Sequence, residues 1–129
     1  MTQTLANGQK YIGEVNKAGE PHGVGQLFHL ANADALLYEG TFMMGKKDGN
    51  GIYYFNDGVS VKYKGGFRKG SIDGYGVHYY ENGNVMFSGN WEQGEFKYGQ
   101  IFSKHGKLLS NTTSHKFDQG VHLVKMGNW

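Results

Sequence analysis

The chain of 129 residues carries 22 glycines against a single proline, 13 basic against 11 acidic side chains, and no cysteine. That excludes a disulfide framework and a thiolate metal site, and a formal charge of +2 is too balanced to mark a nucleic-acid binder. Glycine at more than twice the roughly 7% of ordinary proteins, beside 15% aromatic residues, points away from disorder and toward β-structure with many tight turns.

In chain order, the opening stretch MTQTLANGQKYIGE holds no apolar run of the secretory kind, and the expectation is a cytoplasmic protein. Asn7-Gly8 marks a first hairpin turn. Tyr11-Ile-Gly13-Glu-Val15 follows, then Gly19, Gly23 and Gly25. A segment LANADALL, residues 30–37, interrupts the pattern; its run Ala35-Leu36-Leu37 is far too short to span a membrane. Tyr38-Glu-Gly40-Thr-Phe42 leads to Gly45, Gly49 and Gly51, and Tyr63-Lys-Gly65-Gly-Phe67 leads to Gly70, Gly74 and Gly76. Phe87-Ser-Gly89-Asn-Trp91 begins a fourth copy whose second half departs: Tyr98 stands where a glycine is due and Gly99 comes one place late. Between the copies, Asn56-Asp57-Gly58 and Asn82-Gly83 supply the positive φ of hairpin turns, and His105-Gly106 reads as the last turn. The flanking runs, such as Ile52 to Phe55 and Val77 to Tyr80, are strand-like in composition.

The copies start at residues 11, 38, 63 and 87, so they are 27, 25 and 24 residues apart. The recurring unit is aromatic-x-Gly-x-apolar, then Gly, then Gly-x-Gly. On those residues the chain resembles the MORN (membrane occupation and recognition nexus) repeat family, over roughly residues 4–109. The resemblance implies an all-β fold: a single-layer, curved antiparallel sheet of stacked hairpins. It also implies a non-catalytic module that serves interactions in cytoskeletal or membrane-associated assemblies. Residues 1–109 then form about four repeats, and residues 110–129 a C-terminal tail that serves as a capping strand, a docking segment or a dimerisation element.

Turn length sets which face each side chain occupies. A two-residue turn at Asn82-Gly83 sets Tyr80 opposite Val85 and His78 opposite Phe87. A three-residue turn at 56–58 sets Phe55 opposite Val59 and Tyr53 opposite Val61. A symmetric fold-back at 68–72 sets Phe67 opposite Gly74 and Gly65 opposite Gly76. One face then collects Tyr38, Phe42, Tyr63, Phe67, Phe87 and Trp91 with Tyr53, Phe55, His78 and Tyr80, rings lying over glycines that have no Cβ to obstruct them. The other face holds Phe28, Tyr54 and Tyr79 with Ile52, Val77 and Ile101, beside polar Glu39, Lys64 and Asn90, and is more apolar than the family pattern implies.

No catalytic set emerges. The six histidines show no metal-ligand spacing, no serine lies in a nucleophile elbow, and the Gly-x-Gly pairs lack the third glycine and the helix of a dinucleotide fingerprint. No enzyme activity, cofactor, metal or nucleic-acid partner is expected. The reading is a scaffold that holds a helix or extended peptide of a protein partner through Phe28, Tyr54, Tyr79, Tyr53, Phe55 and Tyr80. The alternative is a membrane-surface module that meets acidic phospholipid through Lys46, Lys47, Arg68 and Lys69, which recur in equivalent loops; a solvated edge with Asp48, Asp73 and Glu20 nearby explains those charges equally. A carbohydrate or choline reader is disfavoured by two tryptophans and a repeat longer than 20 residues.

Overall fold

In the computed structural model, which describes residues 1–113, ten strands follow one another: β1 (Thr2–Thr4), β2 (Lys10–Val15), β3 (Pro21–Phe28), β4 (Leu36–Met43), β5 (Lys46–Tyr54), β6 (Val61–Arg68), β7 (Ser71–Tyr79), β8 (Val85–Glu92), β9 (Glu95–Phe102) and β10 (Leu108–Thr113). They form one open antiparallel sheet whose spatial order is the chain order. The fold is all-β, a curved layer of stacked hairpins. The copies beginning at Tyr11, Tyr38, Tyr63 and Phe87 are the hairpins β2–β3, β4–β5, β6–β7 and β8–β9, with β1 and β10 flanking them. β10 crosses the 109/110 boundary drawn from sequence; the tail beyond residue 113, with the docking and dimerisation roles assigned to it, lies outside the described residues.

Two rows of residues run across the strands and build the core. Tyr11, Leu27, Tyr38, Tyr53, Tyr63, His78, Phe87 and Ile101 stand opposite one another in direct register from β2 to β9. None of them is more than 8% exposed. Two residues away along each strand, Gly13, Gly25, Gly40, Gly51, Gly65, Gly76, Gly89 and Gly99 form a second row on the same face. The two rows need each other. A Cβ at Gly25, Gly51 or Gly76 would lie 2.2, 2.3 or 2.1 Å from an atom of Tyr11, Tyr38 or Tyr63 respectively. Each tyrosine thus lies over the bare backbone of the next strand. Its hydroxyl donates to a carbonyl three residues on: Tyr11 to Glu14 (2.7 Å), Tyr38 to Thr41 (3.0 Å) and Tyr63 to Gly66 (3.0 Å). Phe42 and Phe67 add edge-on contacts, with ring centroids 5.2 Å from Tyr38 and 5.3 Å from Tyr63, the geometry favoured by ring quadrupoles.

The turns inside β4–β5, β6–β7 and β8–β9 differ from the rest, including that of β2–β3, where the Asn16 amide donates to the Glu20 carbonyl. Met44-Gly45, Lys69-Gly70 and Gln93-Gly94 all have positive φ, with the non-glycine residue at 50°, 51° and 50°, the signature of a type I′ turn. Their sequences carry no Asn-Gly signal. The conformation is held from the preceding repeat: the Gly45, Gly70 and Gly94 amides donate to the carbonyls of Pro21, Lys47 and Ile72. The amides of Met44, Lys69 and Gln93 donate to His22 Nδ1 (3.2 Å), Asp48 Oδ2 (3.1 Å) and Asp73 Oδ2 (3.0 Å). At the other end of the hairpins, Gly83 donates to the Tyr80 carbonyl and the Tyr80 amide to that of Asn84. Residues 81–83 therefore make a three-residue loop rather than the expected two-residue turn.

These turns correct the expected register. His78 does face Phe87, but Tyr79 rather than Tyr80 faces Val85. Tyr53 faces Tyr63 while Val61 faces Tyr54, because a bulge at Lys62 absorbs one residue. Gly65 does face Gly76, but Phe67 faces Ile72 rather than Gly74, since the short turn at Lys69-Gly70 leaves Arg68 closing on Ser71. Ile101, assigned to the face of Tyr54, belongs instead to the buried row beside Phe87. The inserted segment closes as a loop, with the His29 amide donating to the Ala35 carbonyl, and Ala35 is buried.

Two predictions follow from this core. Gly76→Ala drives a methyl into the Tyr63 ring and is expected to cost about 3 kcal/mol in urea unfolding, against about 1 kcal/mol for Tyr63→Phe, which only removes a hydrogen bond; equal losses would show that the ring does not depend on bare backbone. His78, 1% exposed, is held neutral, its pKa lowered from 6.5 to about 3 by burial first and by Lys62 second. Below about pH 6.5 the unfolded chain takes up a proton that the folded chain refuses. The contribution is thus complete above that pH and is lost as pH falls toward about 3, by about 1.4 kcal/mol per unit at its steepest. Denaturant unfolding at pH 7.5, 6 and 5 should show this slope in the wild type and lose it in His78→Leu, the residue type that β3 carries at this place as Leu27.

Candidate interaction surface

Strand alternation puts the residues between the buried ones on the opposite, outer face. Next to the buried row run Ile12, Gln26, Glu39, Ile52, Lys64, Val77, Ser88 and Gln100, one from each strand in register. One step further toward the hairpin loops lie Phe28, Tyr54, Tyr79 and Phe102, each following a buried residue of the core row. Opposite each stands an aliphatic residue: Leu36, Val61, Val85 and Leu108. This apolar stripe crosses four consecutive hairpins. Its aromatic members are half-buried, and they are tethered: the Tyr54 hydroxyl donates to Glu39 Oε1, and Lys10 Nζ lies 4.3 Å from the Phe28 ring centroid. Burial first, then Glu39, pushes the Tyr54 phenol up to about 12, so it remains a donor throughout the physiological range. On the same face, two residues away on the far side of the Ile12-to-Gln100 row, Val24, Tyr75 and Tyr98 are 63%, 61% and 56% exposed.

The structure therefore brings Phe28, Tyr54 and Tyr79 together, adds Phe102, and separates Tyr53 from them. Tyr53 is 4% exposed in the core row, so its place among contact residues is corrected to a packing one; the bulge at Lys62 puts it opposite Tyr63. Phe55 and Tyr80 sit where the hairpin loops begin. They line one depression of about 360 Å³ with Met86, Asn82, Glu81 and Lys104, and Tyr80 donates to the Phe102 carbonyl at 2.8 Å. Phe102 was missed because it precedes a Ser-Lys-His-Gly turn in a degenerate copy; its spacing after Ile101, matching Tyr54 after Tyr53, was the available signal.

The basic residues divide as well. Lys46, Arg68 and Lys69 are exposed at the type I′ turn end. Lys47 is not part of that rim. It pairs with Phe42, at the place filled by Pro21, Ile72 and Phe96 in the other hairpins. Its Nζ lies 5.7 and 5.2 Å from the Tyr38 and Tyr53 ring centroids, and burial lowers its pKa. Lys46, Lys47 and Lys69 line a depression of about 410 Å³ with Phe42, Leu27 and Ser71, which Arg68 does not join. Among the described residues no group of three or more His, Asp and Glu side chains converges on a metal position.

No curated protein matches the chain. A family model described as the MORN repeat matches residues 38–60 and 63–85, the hairpins β4–β5 and β6–β7 with the turns that follow them. Such repeats are generally non-catalytic modules involved in protein or membrane interactions. The matched hairpins are continued by β2–β3 and β8–β9 in the same ring and glycine rows, and the chain carries MORN repeats.

Proposed function

We propose that this chain is a non-catalytic docking module that holds a protein partner on its outer face. One observation carries the reading: the stripe Phe28–Leu36, Tyr54–Val61, Tyr79–Val85 and Phe102–Leu108 lies in register over four hairpins. The core uses the other face, and folding does not require large rings on both faces of a hairpin array. Half-exposed aromatics on a rigid sheet make low-entropy anchors, the residue type that dominates binding energy at protein interfaces. Four hairpins span eight strands at about 4.8 Å each, long enough for a helix or an extended segment of about ten residues or more.

The membrane reading has less support. Of its four cations, Lys47 is drawn onto the rings of the core face, which leaves Lys46, Arg68 and Lys69 on the turns, with the Asp48 carboxylate bound to the Lys69 amide.

The test is a pull-down with the full chain and with a Tyr54→Ala/Tyr79→Ala variant whose fold is checked by circular dichroism. Partners held by the wild type should be lost from the folded variant. Partners retained at wild-type level by that variant would overturn the outer-face assignment. Co-sedimentation with vesicles containing acidic phospholipid should be absent at about 0.15 M salt; salt-sensitive binding abolished by Lys46→Ala/Arg68→Ala/Lys69→Ala would move the function to the membrane.

A further inference from the structure

Tyr75 and Tyr98 are the most exposed aromatic residues of the sheet, at 61% and 56%. Both are in register with the same residue: Tyr75 of β7 faces Asn90 of β8, and Asn90 faces Tyr98 of β9. The three side chains share the outer face, with a carboxamide between two phenol rings. Nothing in the fold calls for rings here, because the equivalent places in the earlier hairpins carry Val24 and Asn50. Beside them, Ser88 and Gln100 stand opposite one another on the same face.

The spacing selects a ligand. Two strand intervals separate the tyrosines, about 9.5 Å. A polyproline II helix has three residues per turn and a 3.1 Å rise, so equivalent side chains recur every ~9.3 Å. An extended strand repeats its face every ~6.7 Å. An α-helix offers about 6 Å for i to i+4 and about 10.5 Å for i to i+7. A polyproline II segment also makes no internal hydrogen bonds, so its carbonyls need donors, which Asn90, Ser88, Gln100 and the two phenols supply.

We propose that Tyr75, Asn90 and Tyr98 form a platform for a proline-rich segment, which crosses β7, β8 and β9 with one proline packed on each tyrosine ring and its intervening carbonyl on the Asn90 amide. This rests on reading the outer face as a partner surface and names the chemistry of what docks there. A stiff ligand on stiff rings loses little conformational freedom on binding, which suits a shallow site without a deep pocket.

The experiment titrates the full chain with a 12-residue peptide of Pro-Pro-Ala repeats, against a peptide of the same length with alanine for proline, by isothermal calorimetry. The expected result is saturable binding of the proline peptide alone, weakened at least about tenfold by Tyr75→Ala and by Tyr98→Ala and several-fold by Asn90→Ala. Tyr75 and Tyr98 are exposed and Asn90 is half-buried on the outer face, so the variants keep the fold, which circular dichroism verifies. The Tyr54→Ala/Tyr79→Ala variant should bind the peptide as the wild type does. No binding of the proline peptide at millimolar concentration, equal binding of the alanine peptide, or undiminished binding by a Tyr75→Ala/Tyr98→Ala variant overturns the platform. Any of these, with Tyr54- and Tyr79-dependent partner capture intact, leaves the outer-face reading standing and removes only the proline-rich ligand.

Discussion

The contact on which the rest of the molecule depends is a tyrosine ring lying over the glycine of the neighbouring strand. A one-layer sheet has no second layer to bury its side chains against, and a lone hairpin is marginal in water. Here the missing layer is supplied sideways. Tyr11, Tyr38 and Tyr63 each reach across to Gly25, Gly51 and Gly76, at distances that leave no room for a Cβ, and each phenol hydrogen is satisfied by a backbone carbonyl. Because the ring belongs to one strand and the glycine to the next, every contact is also a strand-to-strand lock. Register, burial and hydrogen-bond satisfaction are fixed by one interaction repeated along the sheet.

That interaction was legible in the sequence because it needs a fixed short spacing: an aromatic two residues before a glycine, answered by a Gly-x-Gly. What the spacing could not carry was the residue count in the turns. The bulges that admit Leu37, Lys62 and Met86 shift pairing by one place and break the alternation of their strands, so Val61 came opposite Tyr54 on the outer face rather than opposite Tyr53. The type I′ turns were silent for a different reason. Met44, Lys69 and Gln93 are poor residues for positive φ, and the repeat before them stabilises the conformation through His22, Asp48 and Asp73. A constraint imposed by a neighbour twenty residues away leaves no local mark on the turn itself.

Lys47 shows how the same repeat can mislead about a site. In a loop reading it is the twin of Lys46 and part of a basic rim. In register it is the twin of Pro21, Ile72 and Phe96, and its aliphatic stem extends the core while the ammonium rests against two rings. Long cationic chains commonly bury their stems in this way. Position in the repeat, rather than charge, therefore decides which side chains are available to a partner. The outer-face stripe passes that criterion, since Phe28, Tyr54, Tyr79 and Phe102 hold the same place in their hairpins and none belongs to the buried row.

An array built on nearest-neighbour locks must also stop, or its ends would offer unsatisfied rings and strands to further copies. In the core row Gln3 of β1 stands opposite Tyr11, and Ser110 of β10 opposite Ile101. Among the described residues, polar side chains thus flank a row that is otherwise aromatic or aliphatic but for the buried His78. Three-residue β1 further limits the edge it presents. A strand laid against Gln3 or Ser110 would meet a polar side chain where the rest of the row offers an apolar one, and would bury less apolar surface there.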